Sequence, residues 1–367
     1  MRRAYQLGLL SIVATMSEGA LAQSSVTLYG TVDASIQYLT HANSAGDSLT
    51  KMGSGGLSQS RFGVSGNESI GGGNSVIFRL ENRFATNTGV TDPSGSFWDT
   101  VFVGLRTSTL GTLTLGRQTN PMADMAALTY PSNPWLPYDY KFQPEITLMG
   151  GIWSSNMAKY QFRYGRFVAE TSYAFGGVAG HTSYGSQLGA GVAYVGAIVG
   201  LGASYLDIKD STNGADSKAW SMGGSLTWQG TQAHLGYFEN RLSPGFGTWA
   251  NGPYTPLQLA ALKFTDFSSR RMFSAGVSQT LLSSTHLSFN YWRTFQTGKT
   301  DRQNGTASQF QVVADQSLSR RTDVYLEVNY SIYREDLIGA QLQGINGLSS
   351  AQKGTQLGMM AGVRHQF

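Results

Sequence analysis

The chain has 367 residues, no cysteine, 46 glycines, 12% aromatic and only 13% charged residues, and a formal net charge of +4. That is enough for one large or two ordinary domains. The charge excess is too small to point to nucleic acid, and a secreted chain of this composition has no disulfides to hold it together. Beyond the amino terminus no run of about 18 apolar residues occurs, which excludes membrane-spanning helices.

The first 22 residues combine a basic start (Arg2, Arg3), an apolar stretch from Leu7 to Met16 and the small-residue site Ala20-Leu21-Ala22. This pattern predicts a secretory signal cleaved before Gln23, because the apolar stretch is too short to span a bilayer. Its removal takes away Arg2, Arg3 and Glu18 and leaves a net charge of +3.

From Ser25 the chain alternates apolar and polar residues with a period of two, as a strand with one apolar face does. In SVTLYGTVDASIQY, Val26, Leu28, Gly30, Val32, Ala34, Ile36 and Tyr38 share one face. The same alternation predicts strands over 59–69, 75–86, 97–107, 111–119, 153–164, 166–176, 184–195, 197–207, 218–229, 231–241, 270–281, 284–296, 307–318, 321–334 and 355–367, making 16 with 25–38. The connections alternate between tight turns (70–74, 108–110, 165, 196, 230, around 283, 319–320) and longer loops (39–58, 87–96, 120–152, 177–183, 208–217, 242–269, 297–306, 335–354). An up-and-down antiparallel meander with its turns at one end and its loops at the other is the layout of an outer-membrane β-barrel. Trp220 and Trp228, at the two ends of one apolar face with Met222, Gly224 and Leu226 between them, fit the aromatic girdles at the two membrane interfaces. A soluble β-sandwich also alternates, but a 16-strand meander behind a signal sequence favours the barrel. The chain then ends on an apolar face, TQLGMMAGVRHQF, because its last strand must close against its first.

The segments SVTLYGTVDASI, SRFGVSGNESIGGGNSVIFRLENRF, FVGLRTSTLGTLTLGRQTNP and AGVRHQF, in this order, resemble the general diffusion porins of Gram-negative outer membranes, in particular a proteobacterial branch with an LYG opening and a GRQ segment. The resemblance implies a homotrimer of 16-stranded barrels, each with a water-filled channel for small hydrophilic solutes and ions. It also implies lipid and lipopolysaccharide as surroundings and a terminal Phe367 read by the barrel-assembly machinery; no cofactor is expected, and the absence of cysteine and of a histidine cluster gives no support for a metal. In such porins the third long loop folds into the lumen; here it is expected at about 119–152, holding five of the nine prolines and the acids Asp124, Asp139 and Glu145.

Opposite an acidic loop, basic wall residues are expected, because facing charges set a transverse field that sorts ions. Within SVIFRLENRF, turning Val76, Phe78, Leu80 and Phe84 to lipid turns Arg79, Glu81 and Arg83 to the lumen; the reverse would cost roughly 2 to 4 kcal/mol for each arginine at mid-depth. Arg61 and Arg117 match family positions that line the constriction. Thr31, Asp99 and Trp153 stand where many relatives carry a basic residue. Losing basic residues at these positions and gaining an acid at Asp99 lead to the expectation of near-neutral to cation-preferring conduction.

Two other function classes are set against this reading. Tyr130, Trp135, Tyr138 and Tyr140 in the third loop would suit an aromatic track in a channel selective for sugars or organic acids. An outer-membrane hydrolase would need a nucleophile or metal motif, but the five histidines (His41, His181, His234, His286, His365) are scattered and form no HExxH, and there is no GxSxG. DIKDSTNGAD, residues 207–216, misses the spacing of a calcium loop.

Overall fold

The computed structural model describes residues 24–91, 97–130, 152–247, 250–251, 267–339 and 353–367. The segment read as a signal therefore lies outside the described residues, as do Asp139, Glu145, Trp135, Tyr138 and Tyr140 of the third loop. The strands run β1 Ser25–Leu39, β2 Leu49–Ser54, β3 Arg61–Gly71, β4 Asn74–Arg83, β5 Trp98–Thr107 and β6 Gly111–Thr119. A helix, α1 Pro121–Thr129, follows, and then β7 Trp153–Tyr164, β8 Phe167–Ala174, β9 Gln187–Val195, β10 Val199–Lys209 and β11 Asp216–Trp228. The circuit is completed by β12 Thr231–Leu242, β13 Phe267–Leu281, β14 Thr285–Gly298, β15 Gly305–Ser317, β16 Thr322–Glu335 and β17 Thr355–Gln366.

Each strand pairs antiparallel with its neighbour, and β17 returns to pair with β1, from Thr31 opposite Gln366 to Leu39 opposite Gly358. The result is a closed 16-strand barrel with no free edge. The seventeenth segment arises because one barrel strand is interrupted: β2 and β3 both pair with β1, over Ala34–Leu39 and Ser25–Thr31 respectively. The expectation of a loop over 39–58 is corrected here, since 49–54 continues the wall beyond a short detour at 55–60.

Asp33 holds that detour. Its carboxylate, fully buried, accepts from the backbone N–H groups of Gly56, Leu57 and Ser58 at 3.1, 3.0 and 2.8 Å and from the Tyr325 hydroxyl at 2.6 Å. Backbone donors that the missing ladder bonds would orphan are thereby satisfied by a charged acceptor.

The two faces differ as lipid and water demand. On β16, Val324, Leu326, Val328 and Tyr330 point outward and exposed, while Asp323, Glu327, Asn329 and Ser331 point inward and buried. All tight connections lie at one end. The turn between β11 and β12 uses Gln229 and Gly230 at φ of 47° and 80°, the doubly left-handed pair that a two-residue hairpin requires. At the other end β6 leads directly into α1, whose start is set by Asn120: its side chain accepts from Ala123 N, and Pro121 occupies the first helical position.

Candidate constriction site

α1 turns into the barrel and lies against the inner wall of β8 to β11. Met122 and Tyr130 join Leu206, Ala219, Phe238, Met272 and Trp292 in one buried cluster, and Met125 joins Val168 and Ala193 in another. Glycines make room for it. A methyl group added at Gly191 would stand 2.5 Å from Met125 Cγ, one at Gly202 2.4 Å from Thr129 Oγ1, and one at Gly223 2.7 Å from Tyr130 Cδ2. Tyr130, one member of the suggested aromatic track, is fully buried and donates to Ser221 Oγ at 2.8 Å, so it packs the helix rather than lining a solute path.

The first turn of α1 is tied down electrostatically. Lys159 on β7 reaches Asp124 Oδ2 at 2.6 Å and donates to the Thr119 carbonyl at 2.9 Å, while Thr119 Oγ1 donates to Asp124 Oδ1 at 2.6 Å. Beside this pair, Gln161 donates to Glu170 Oε1 at 2.5 Å. Asp124 is therefore a paired carboxylate that fixes the helix to the wall.

Across the lumen, β3 and β4 carry the arginines Arg61 and Arg79, beside β1. Tyr29, on the same face of β1 as Thr31 and Asp33, accepts from Arg79 Nε at 2.7 Å and donates to Glu81 Oε2 at 2.8 Å. Arg61 Nε stands 3.9 Å from the same Glu81 oxygen. Glu81 is buried among these partners, whereas Arg79 is exposed and Arg61 partly so. The alternation along β4 places Val76, Phe78 and Leu80 on the opposite face from Arg79 and Glu81.

Arg83, Asp99, Arg117 and Trp153 gather where β4 to β7 run into their loops. Asp99 is the extra residue of a bulge between the pairs Glu81–Thr100 and Asn82–Trp98. A bulge re-aims a side chain, and here Asp99 Oδ2 lies 2.7 Å from Arg83 Nε. The Arg83 guanidinium carbon lies over the Trp153 ring, 3.7 Å from its centre, and the Trp153 indole donates to Thr100 Oγ1 at 3.2 Å. Arg117, also buried, donates to Ser155 Oγ at 2.9 Å. Trp153 thus offers the wall an aromatic face on which the Arg83 cation rests.

Sequence reasoning did not single out Lys159, Tyr29 or Asp33. Lys159 sits on a strand with Tyr160, Phe162 and Tyr164 turned outward, and alternation alone assigns it to the lumen; its bond to Asp124 needed the path of α1.

A sequence profile described as Gram-negative porin matches residues 8–336. Over 77 residues the chain is 43% identical to outer membrane porin protein 32 of Delftia acidovorans, covering 21% of this chain and 22% of that protein. Over 124 residues it is 35% identical to an outer membrane porin protein of Bordetella pertussis, covering 30% and 32%. The matches thus span about a fifth to a third of these relatives' lengths. Among solved structures, an anion-selective porin from Comamonas acidovorans superposes with a TM-score of 0.75 at 22% identity, over 94% of this chain and 100% of that one. The trimer form of OmpT from Vibrio cholerae superposes at 0.66 with 16% identity, over 94% and 99%. With its closed barrel and the helix α1 turned inward after β6, the chain belongs to the Gram-negative porin family and is a β-barrel of the outer membrane.

Proposed function

We propose that the protein is a passive diffusion channel for small hydrophilic solutes and ions. The observation that carries this reading is α1 laid against the lumen side of β8–β11, facing an arginine-bearing wall on β3 and β4. Family and fold indicate a channel rather than an enzyme. No covalent step is involved: solutes move down their gradients, sorted by the width of the passage and by the field across it. Arg61, Arg79, Glu81, Arg83, Asp99, Arg117 and Asp124, with Asp139 and Glu145 from the rest of the loop, are the residues we assign to that constriction. We further read residues 1–22 as a cleaved secretory signal and the working unit as a homotrimer, the form named for one structural relative. Phe367 is the feature offered to the assembly machinery.

The expected near-neutral to cation-preferring conduction follows from the basic residues missing at Thr31, Asp99 and Trp153 and from counting Asp99 as an added acid. Asp99 is instead paired with Arg83, Glu81 lies among Tyr29, Arg61 and Arg79, and Asp124 is held by Lys159. Of the charges assigned to the constriction among the described residues, Arg79 is the exposed one and Arg61 is partly exposed, whereas these carboxylates are paired, so we propose a weak preference for anions. Reversal potential in a KCl gradient across a planar bilayer tests this. We expect the sign of anion selectivity, reduced or reversed in Arg79→Gln, and stepwise closure in three levels. A channel that stays cation-selective and indifferent to Arg79→Gln refutes the assignment, while a saturable current blocked by a sugar or organic acid favours a substrate-selective channel.

A further inference from the structure

The outer surface of the barrel is not evenly convex. Between β7 and β11 it holds an apolar groove of about 630 Å³. Its origin lies in the register. Phe162, Ala169, Val192, Ala203 and Met222 stand side by side on five successive strands. The two alanines leave depressions between larger neighbours, and behind them the wall is thinned to bare backbone at Gly202 and Gly223, the glycines that admit α1 on the inner side. The row nearer the turns is larger and aromatic, with Tyr164, Phe167 and Tyr194 next to one another.

We propose that this groove binds one phospholipid of the periplasmic leaflet, with an acyl chain in the depression and the phosphate held at Arg166. Three observations fix the occupant. The groove's lining reaches Tyr164, Phe167 and Tyr194 beside the tight turns at 165–166 and 196–198, the end that faces the periplasm in barrels of this kind. At that end Arg166 is exposed in its turn, and its Nη1 lies 3.4 Å from the Tyr194 hydroxyl on the groove's rim, so a guanidinium and a phenol stand together as donors for a phosphate. The carboxylates of the same outer face, Asp207 and Asp216, lie at the far, loop end and pair with Lys209, leaving the groove's mouth with positive charge alone. An apolar trough with a cation at its interfacial end matches a diacyl phospholipid lying along the wall. The position in the periplasmic half separates it from lipopolysaccharide.

The test is native mass spectrometry of the intact protein, purified in an uncharged detergent and titrated with phosphatidylglycerol. The expected result is one lipid retained under activation that strips all others. Arg166→Gln should weaken its retention about fivefold, the size of one interfacial cation, while Arg320→Gln, at the exposed turn between β15 and β16, should leave it unchanged. Ala169→Trp with Ala203→Trp should fill the trough and abolish retention with channel conductance intact. Equal retention by wild type and the filled variant overturns the proposal, as does equal loss in Arg166→Gln and Arg320→Gln. A change of oligomeric state in the filled variant also overturns it, because the groove would then seat a second copy. Should the double variant fail to fold, the two arginine variants decide alone.

Discussion

Single residues on the wall act through their partners more than through their formal charge. Asp99 illustrates this: at 2.7 Å from Arg83 its charge is cancelled locally, and both groups are almost wholly buried. Replacing it with asparagine keeps the shape and removes the anion. Asp99→Asn is therefore expected to move the reversal potential towards anions, and by more than neutralising an exposed acid would, since Arg83 is left with its charge uncompensated in a poorly screened site. A null shift in a correctly inserted channel would mean that Arg83 contributes nothing to the field in the pore. Lys159 is the corresponding anchor on the loop side. Lys159→Met removes its bonds to Asp124 and Thr119, so the first turn of α1 is expected to loosen and open-channel current noise to rise, measured in single-channel records at unchanged voltage.

At the scale of elements, the strands were legible because a membrane barrel enforces alternation on every strand, and a one-residue slip would turn arginines to lipid. The segment 49–54, LTKMGS, escaped because six residues with an outlying glycine give too few alternations, and because the detour at 55–60 is pinned by Asp33, a contact set by tertiary structure. α1 was hidden differently. Its local signals were present, with Asn120 as a cap, Pro121 next and Asp124 in the first turn, but a stretch of nine residues in a proline-rich loop reads first as irregular. What stabilises it is the seat of glycines on β9, β10 and β11, which local reading cannot associate with it. The seat yields a prediction: Gly191→Leu drives a side chain into Met125 and should displace α1 while leaving the barrel's outer face untouched. Single-channel conductance should rise, and larger solutes should enter in a liposome-swelling assay, with the heat-modifiable electrophoretic mobility of the folded barrel retained. Conductance equal to wild type would show that α1 does not bound the narrowest passage.

For the whole molecule the decisive act is closure, and the first and last strands meet to perform it. Gly30 N donates to the Phe367 carbonyl and Phe367 N to the Gly30 carbonyl, each at 3.1 Å, so the last residue completes the ladder of the first strand. The Phe367 ring also lies over Gly30: a methyl group built there would stand 2.3 Å from Phe367 Cζ. The opening LYG and the closing phenylalanine are thus two halves of one contact, which explains why a glycine is present in a strand that otherwise favours bulk. If the ring is what demands the glycine, Gly30→Ala and Phe367→Ala are not independent. Gly30→Ala alone should lower the yield of heat-modifiable barrel on refolding into detergent micelles, and adding Phe367→Ala should restore part of that yield, a coupling between contacting residues of the kind double-mutant cycles detect. Refolding in micelles contains no assembly machinery, so the cycle isolates the packing role of Phe367 from the signal role proposed for it. The nearby backbone limits the rescue, since the Arg61 carbonyl stands 2.7 Å from the same added methyl. Additive losses would assign the glycine to that backbone contact and leave the terminal ring without a packing demand on it.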